Sequence, residues 1–121
     1  AHHPSEVIAS LDAAARMAPS RVICIFQPHT YSRTAGLMDD FAAALSMADL
    51  PIICPIFAAR EAPIPGVDAR TLADKTRGGV YAPTLEAAAQ YVREQAQAGD
   101  LIITMGAGDV WRVGDMLRQG D

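Results

Sequence analysis

Apolar residues recur along the chain at two spacings, and the switch from one to the other lays out the elements. Val7, Ile8, Leu11, Ala14, Ala15 and Ala18 fall at helical spacing, and Pro4 with Glu6 suits a first turn, so a helix is expected at the start. Residues 21–26 are then a short apolar run rich in β-branched side chains, the pattern of a strand covered on both faces. Thr34 is placed to cap a second helix, with Leu37, Met38, Phe41, Ala44, Leu45 and Ala48 on one stripe and Asp39 and Asp40 facing outward. Residues 51–57 repeat the buried-strand pattern, while Pro51 and Pro55 push that segment toward a sheet edge or an interrupted strand.

The second half continues the alternation. Pro63, Pro65 and Gly66 mark residues 58–67 as a loop, and a short helix is expected near 69–75. Gly78 and Gly79 lead into a brief strand at Val80 and Tyr81. Thr84 caps a helix carrying Leu85, Ala88, Ala89 and Val92, which Gly99 is expected to stop. Residues 101–105 form the last apolar strand, and a final helix places Val110, Val113, Met116 and Leu117 on one side. Helix and strand thus alternate almost throughout, which predicts a single α/β domain, Rossmann-like, with a mostly parallel sheet and helices on both faces. In such sheets ligands bind at the carboxyl ends of the strands.

Composition narrows the class. A chain of 121 residues, half of them apolar, can bury about two-thirds of its unfolded surface, which fits one globular domain. The net charge of −4 offers no broad basic footprint for nucleic acid or an anionic membrane. Cys24 and Cys54 sit inside apolar runs, so buried free thiols in a reducing compartment are expected, pointing to the cytoplasm. No apolar stretch approaches the ~20 residues that span a bilayer. The first residue is Ala1, followed by His2-His3-Pro4, which reads as an excised piece of a longer protein, although a tag remnant explains the histidines equally well.

Polar groups converge after the first strand, in Gln27-Pro28-His29-Thr30-Tyr31-Ser32-Arg33-Thr34. The Arg33 guanidinium matches a carboxylate or phosphate, and unpaired N–H groups at the next helix start would favour an anion beside it. The alternative is a surface loop with Arg33 solvated. A second cluster, Gly106-Ala107-Gly108-Asp109, lies between the last strand and helix. Its glycines would let a nucleotide approach the backbone, yet Trp111 stands where the dinucleotide fingerprint needs a third small residue. Tight strand-to-helix packing, with Asp109 as an N-cap, is the plainer reading. Adjacent His2 and His3 cannot share a helix face, so no metal site is expected. Arg60 and Glu61 open a proline-stiffened segment that could close over a ligand, although a solvated charge pair is the commoner state of such neighbours. No phosphate loop and no catalytic triad is present, so the chain alone carries no catalytic residues.

Ala1-His2-His3-Pro4, Phe26 through Thr34, Glu61-Ala62-Pro63-Ile64-Pro65-Gly66 and Gly106 through Asp109 together resemble, in order, the C-terminal domain of the Mur ligase family. The resemblance covers essentially residues 1–121, and the Phe26–Thr34 run resembles in particular the branch that joins L-alanine to UDP-N-acetylmuramate. The branch that recycles a tripeptide shares His-His-Pro but differs at that run. The resemblance implies an ATP-dependent, amide-forming ligase of peptidoglycan synthesis, with an N-terminal UDP-substrate domain and a central ATPase domain outside this chain. It implies ATP and Mg²⁺ held mainly by the central domain, an acyl-phosphate intermediate, and a lobe that is inactive alone. Arg33 would bind the alanine carboxylate, with His2, Tyr31 and Ser32 nearby and His29 supporting the loop. Gly106, Gly108 and Asp109 would lie toward the nucleotide. Thr30 stands where some family members carry a second arginine. The competing expectations are a free-standing phosphate-binding module and an interaction domain without chemistry.

Overall fold

Strand β1, Arg21–Gln27, is buried along almost its whole length, and the rest of the fold is arranged around it. The computed structural model describes residues 3–106 and 110–119. Within them, helix α1 (Pro4–Arg16) precedes β1, and α2 (Tyr31–Leu45), β2 (Leu50–Ile53), α3 (Ala69–Lys75), β3 (Val80–Tyr81), α4 (Leu85–Gln95), β4 (Asp100–Gly106) and α5 (Trp111–Gln119) follow. The four strands form one parallel sheet in the order β3-β2-β1-β4. The expected α/β architecture is therefore present, and every strand pair is parallel.

The period-2 alternation of β1 divides the core. Val22, Cys24 and Phe26 pack with Val7 and Leu11 of α1, Met38, Phe41 and Leu45 of α2, and Leu72 of α3. The Phe26 and Phe41 rings lie 5.3 Å apart between centroids, tilted by 39°. Ile23 and Ile25 face the other way, toward Ala88, Ala89 and Val92 of α4 and Val113 of α5. From β1 the chain steps outward through β2 to β3 with α2 and α3 on one face. It then returns across the opposite face through α4 to place β4 on the far side of β1. Right-handed crossovers require this change of face when the direction reverses. The reversal makes the carboxyl ends of β1 and β4, Gln27 and Gly106, the topological switch point.

Several local expectations are corrected. Thr34 is not the cap of α2: it is fully buried one turn inside, where its hydroxyl donates to Thr30 O at 2.7 Å. Thr30 caps instead, accepting from Arg33 N at 3.3 Å. The helix starts early because an acceptor from a distant loop serves its first N–H groups, as described below. Strand β2 stops at Ile53, as the interrupted-strand alternative expected, but it lies inside the sheet and not at the edge. Pro51 is tolerated there because β3 pairs only with Ile52 and Ile53, leaving no ladder bond for its missing N–H to break. Helix α4 ends at Gln95, and Gly99, with φ of +92°, serves the turn into β4, where Ser20 N donates to its carbonyl at 2.9 Å. At that end Arg21 Nε and Nη2 donate to Asp100 at 3.2 and 2.8 Å.

Neither cysteine forms a disulfide and both are buried, Cys24 on the α1–α3 side and Cys54 on the α4–α5 side. Burial pushes the Cys24 thiol up to about 12. A disulfide reagent such as DTNB is therefore expected to leave Cys24 unlabelled at pH 8 until the chain unfolds; prompt labelling of the native protein would contradict that burial. Gly106 has φ of +125°, and a Cβ there would lie 2.2 Å from Gln27 O. Gly106→Ala should lower the unfolding free energy by roughly 2 kcal/mol or more in urea titrations.

Candidate functional site

The parallel ladder ends at Gln27, and the polar turn that follows is held by the loop that follows β2. Gln27 is 6 % exposed; its Nε2 donates to Pro55 O at 3.2 Å, and its Oε1 is buried with no hydrogen-bond partner among the described residues. Phe57 N donates to Pro28 O and Thr30 N to Phe57 O, both at 2.8 Å, so the two loops continue the sheet by one parallel bridge. The His29 ring stacks on Phe57 with centroids 5.9 Å apart and planes 14° off parallel. Ala59 and Arg60 then adopt positive φ, 49° and 75°, and turn the loop back toward α2.

That reversal delivers Glu61 to the start of α2. Its Oε1 accepts from Tyr31 N at 2.8 Å and Ser32 N at 3.0 Å, and its Oε2 accepts from Ser32 Oγ at 2.6 Å. Helix α2 has no acidic residue in its own first turn, and Glu61 supplies the negative charge that its N-terminal dipole favours. Two expectations are corrected here. The N–H groups at this helix start do not await an incoming anion, because an internal carboxylate already occupies them. Glu61 is not one half of a solvated pair with Arg60 but a half-buried clasp across 30 residues of sequence. The absence of any acid in the first turn of α2, beside a proline-stiffened loop that opens on one, was the available sequence signal.

The predicted site residues divide. Tyr31, Ser32 and Arg33 form the first turn of α2, with His29 just before it, so the structure brings these four together. Arg33 and Ser32 are exposed, while His29 and Tyr31 are half-buried. Tyr31 also lines a small cavity of about 140 Å³ with Pro55, Ile56, Asp68, Ala69 and Tyr81. Gly106 lies across the ladder from Gln27, and the close approach of Gln27 O accounts for its lack of a Cβ by packing. His2, Gly108 and Asp109 lie outside the described residues. His3 caps α1, its Nδ1 accepting from Ser5 N at 3.1 Å.

Residues 1–108 match the model of the Mur ligase glutamate ligase domain. The chain belongs to the Mur ligase family. It is 46% identical to the UDP-N-acetylmuramate–L-alanine ligase of Syntrophotalea carbinolica over 98% of this chain and 27% of that protein. It is 48% identical to the enzyme of the same name from Clostridium novyi, over 96% of this chain and 26% of the relative. The chain thus spans about a quarter of the length of the curated relatives it matches. Among solved structures, a murein peptide ligase from Psychrobacter arcticus superposes with a TM-score of 0.72 at 19% identity, over 98% of this chain and 25% of that one. At that identity the likeness shows a shared Mur ligase fold and no more.

The Ser32 hydroxyl first, then the Ser32 and Tyr31 amides, hold the Glu61 carboxyl below its ordinary value, against an opposing effect of desolvation. Because the folded value lies below the unfolded one, this contact contributes its full stability above the ordinary value of 4.5 and loses it as pH falls through the folded value. Denaturant midpoints taken stepwise below pH 4.5 should therefore fall less steeply for Glu61→Gln than for the unaltered Mur ligase chain. Parallel acid limbs would show that ionisation of Glu61 adds nothing to stability.

Proposed function

We propose that this chain is the amino-acid-positioning lobe of a UDP-N-acetylmuramate–L-alanine ligase that acts in peptidoglycan synthesis. The relatives from 42 to 48% identity bear that name, whereas the recycling-type structural neighbours reach only 19%. The observation that carries the reading is the turn after β1. Arg33 sits there on a braced helix start at the carboxyl edge of the sheet, where a parallel fold presents its ligands. A phosphate group at the start of α2 is disfavoured, since Glu61 already fills that helix start beside Arg33; a phosphate-binding module would have to use the turn after Gly106 instead.

In the whole enzyme, ATP would activate the muramyl carboxylate as an acyl phosphate, because a free carboxylate is a poor acyl donor. The amine of L-alanine would then displace phosphate to form the amide. This lobe's residues take positioning roles. The Arg33 guanidinium would grip the alanine carboxylate through a charge-assisted pair, with Tyr31 and His2 flanking it and His29 supporting the turn. The Ser32 hydroxyl donates to Glu61, so it would meet a ligand only as an acceptor, through its two lone pairs. Fixing the carboxylate presents the amine to the acyl phosphate, and such orientation can lower a barrier by up to about 7–11 kcal/mol.

Among the described residues no cluster of His, Cys, Asp and Glu side chains comes together that could hold a metal ion. As the family resemblance implies, Mg²⁺ and the ATP phosphates are assigned in this reading to the central domain of the same polypeptide. The turn of Gly106, Gly108 and Asp109 would border the nucleotide, and closure of the lobe would exclude water from the acyl phosphate. With ATP and a nucleotide-activated sugar as its substrates, the enzyme would work in the cytoplasm. Arg33→Ala in the full-length ligase should raise the KM for L-alanine by on the order of a hundredfold, with the KM for ATP nearly unchanged. An unaltered alanine KM would sink the assignment.

A further inference from the structure

Arg33 is only as well placed as the first turn of α2, and that turn is not held by its own sequence alone. Thr30, its cap, sits at a positive φ of 62°, a conformation that a β-branched residue keeps only under outside constraint. The constraint comes from residues 55–61. Pro55 O receives the Gln27 amide, Phe57 bridges Pro28 and Thr30, and Glu61 takes the N–H groups of Tyr31 and Ser32 together with the Ser32 hydroxyl. Of these fastenings, the first two involve backbone carbonyl or N–H groups of the loop. Glu61 is the fastening whose hydrogen bonds come from a loop side chain, and the residues it grips immediately precede Arg33.

We infer that Glu61 is a positioning residue of the amino-acid site: its carboxylate fixes the helix start so that the Arg33 guanidinium meets the substrate carboxylate in a single orientation. The inference rests on the assignment of Arg33 to the alanine carboxylate. The role assigned to Glu61 is positioning rather than substrate contact, since its oxygens already accept from three donors on α2. An internal carboxylate at the helix start also keeps the substrate's carboxylate from docking there. The helix end would otherwise offer a competing anion site that leaves the amine misdirected.

The test uses the full-length ligase containing this lobe, with steady-state kinetics for L-alanine and ATP on Glu61→Ala, Glu61→Gln, Arg33→Ala and the double variant Arg33→Ala/Glu61→Ala. Glu61→Ala should raise the alanine KM about tenfold or more while the ATP KM moves little. Glutamine can still accept from both N–H groups and can donate to the Ser32 hydroxyl, so Glu61→Gln should restore most of the alanine KM. In the Arg33→Ala background the Glu61 substitution should add almost nothing, because the side chain it positions is gone. Asp100→Asn, which weakens the Arg21 contact at the opposite end of the sheet, controls for general loss of stability and should leave the alanine KM in place.

If Arg33→Ala raises the alanine KM but Glu61→Ala does not, this inference fails and the assignment of Arg33 stands. If Arg33→Ala itself has no effect, the underlying assignment fails first. Glutamine as damaging as alanine, or full additivity in the double variant, would each overturn a positioning role for Glu61.

Discussion

Strand β1 pairs with β2 on one side and β4 on the other, and helices cover both of its faces, so its backbone and side chains are committed to the interior along its length. A strand enclosed in this way can meet a ligand only where the ladder runs out. Parallel pairing aligns all the carboxyl ends at one edge, and the reversal of strand order between β4 and β1 leaves the loops there diverging. The polar turn from Pro28 to Arg33 occupies that position as a consequence of the topology. Its chemistry is useful because the enclosed strand behind it cannot shift.

A turn at such an edge still needs its own polar groups satisfied. The first N–H groups of α2 have no partner within the helix and would demand one from solvent, from a ligand or from elsewhere in the chain. Glu61 answers that demand from a loop distant in sequence, and the same contact pins the loop. The left-handed conformations at Thr30, Ala59 and Arg60 follow from this mutual fastening, since each is a local cost accepted where surrounding hydrogen bonds over-determine the backbone. What resembled a generic anion-binding helix start is instead an internally neutralised one, with the exposed Arg33 beside it.

The opposite end of the sheet shows how differently a charge pair acts where no ligand is expected. Arg21 and Asp100 face each other across the β1–β4 ladder, and Arg21 also donates to Gln95 O at 2.7 Å, closing the end of α4 against the start of β4. That cluster fastens the amino edge. The carboxyl edge carries the chemistry-bearing side chains, and this asymmetry accords with the division between stabilising and functional ends common to parallel sheets.

The sequence by itself determined the elements and their order, because the switch between apolar periods of 2 and 3.6 is a local signal. The runs at 21–26 and 101–105, the helical stripe from Leu37 to Ala48, and the cap at Thr84 were all legible without knowledge of neighbours. The Phe26–Thr34 and Glu61–Gly66 motifs likewise marked the family and the turn that matters. Only tertiary structure decided that β2 lies inside the sheet, that Pro51 is harmless there, and that α2 begins at Tyr31 rather than after Thr34. It alone gave Glu61 its role. Periodicity reports which face of an element is buried, whereas the partner of a helix N–H or the neighbour of a strand is set by loops that bring residues 30 positions apart within 3 Å of one another.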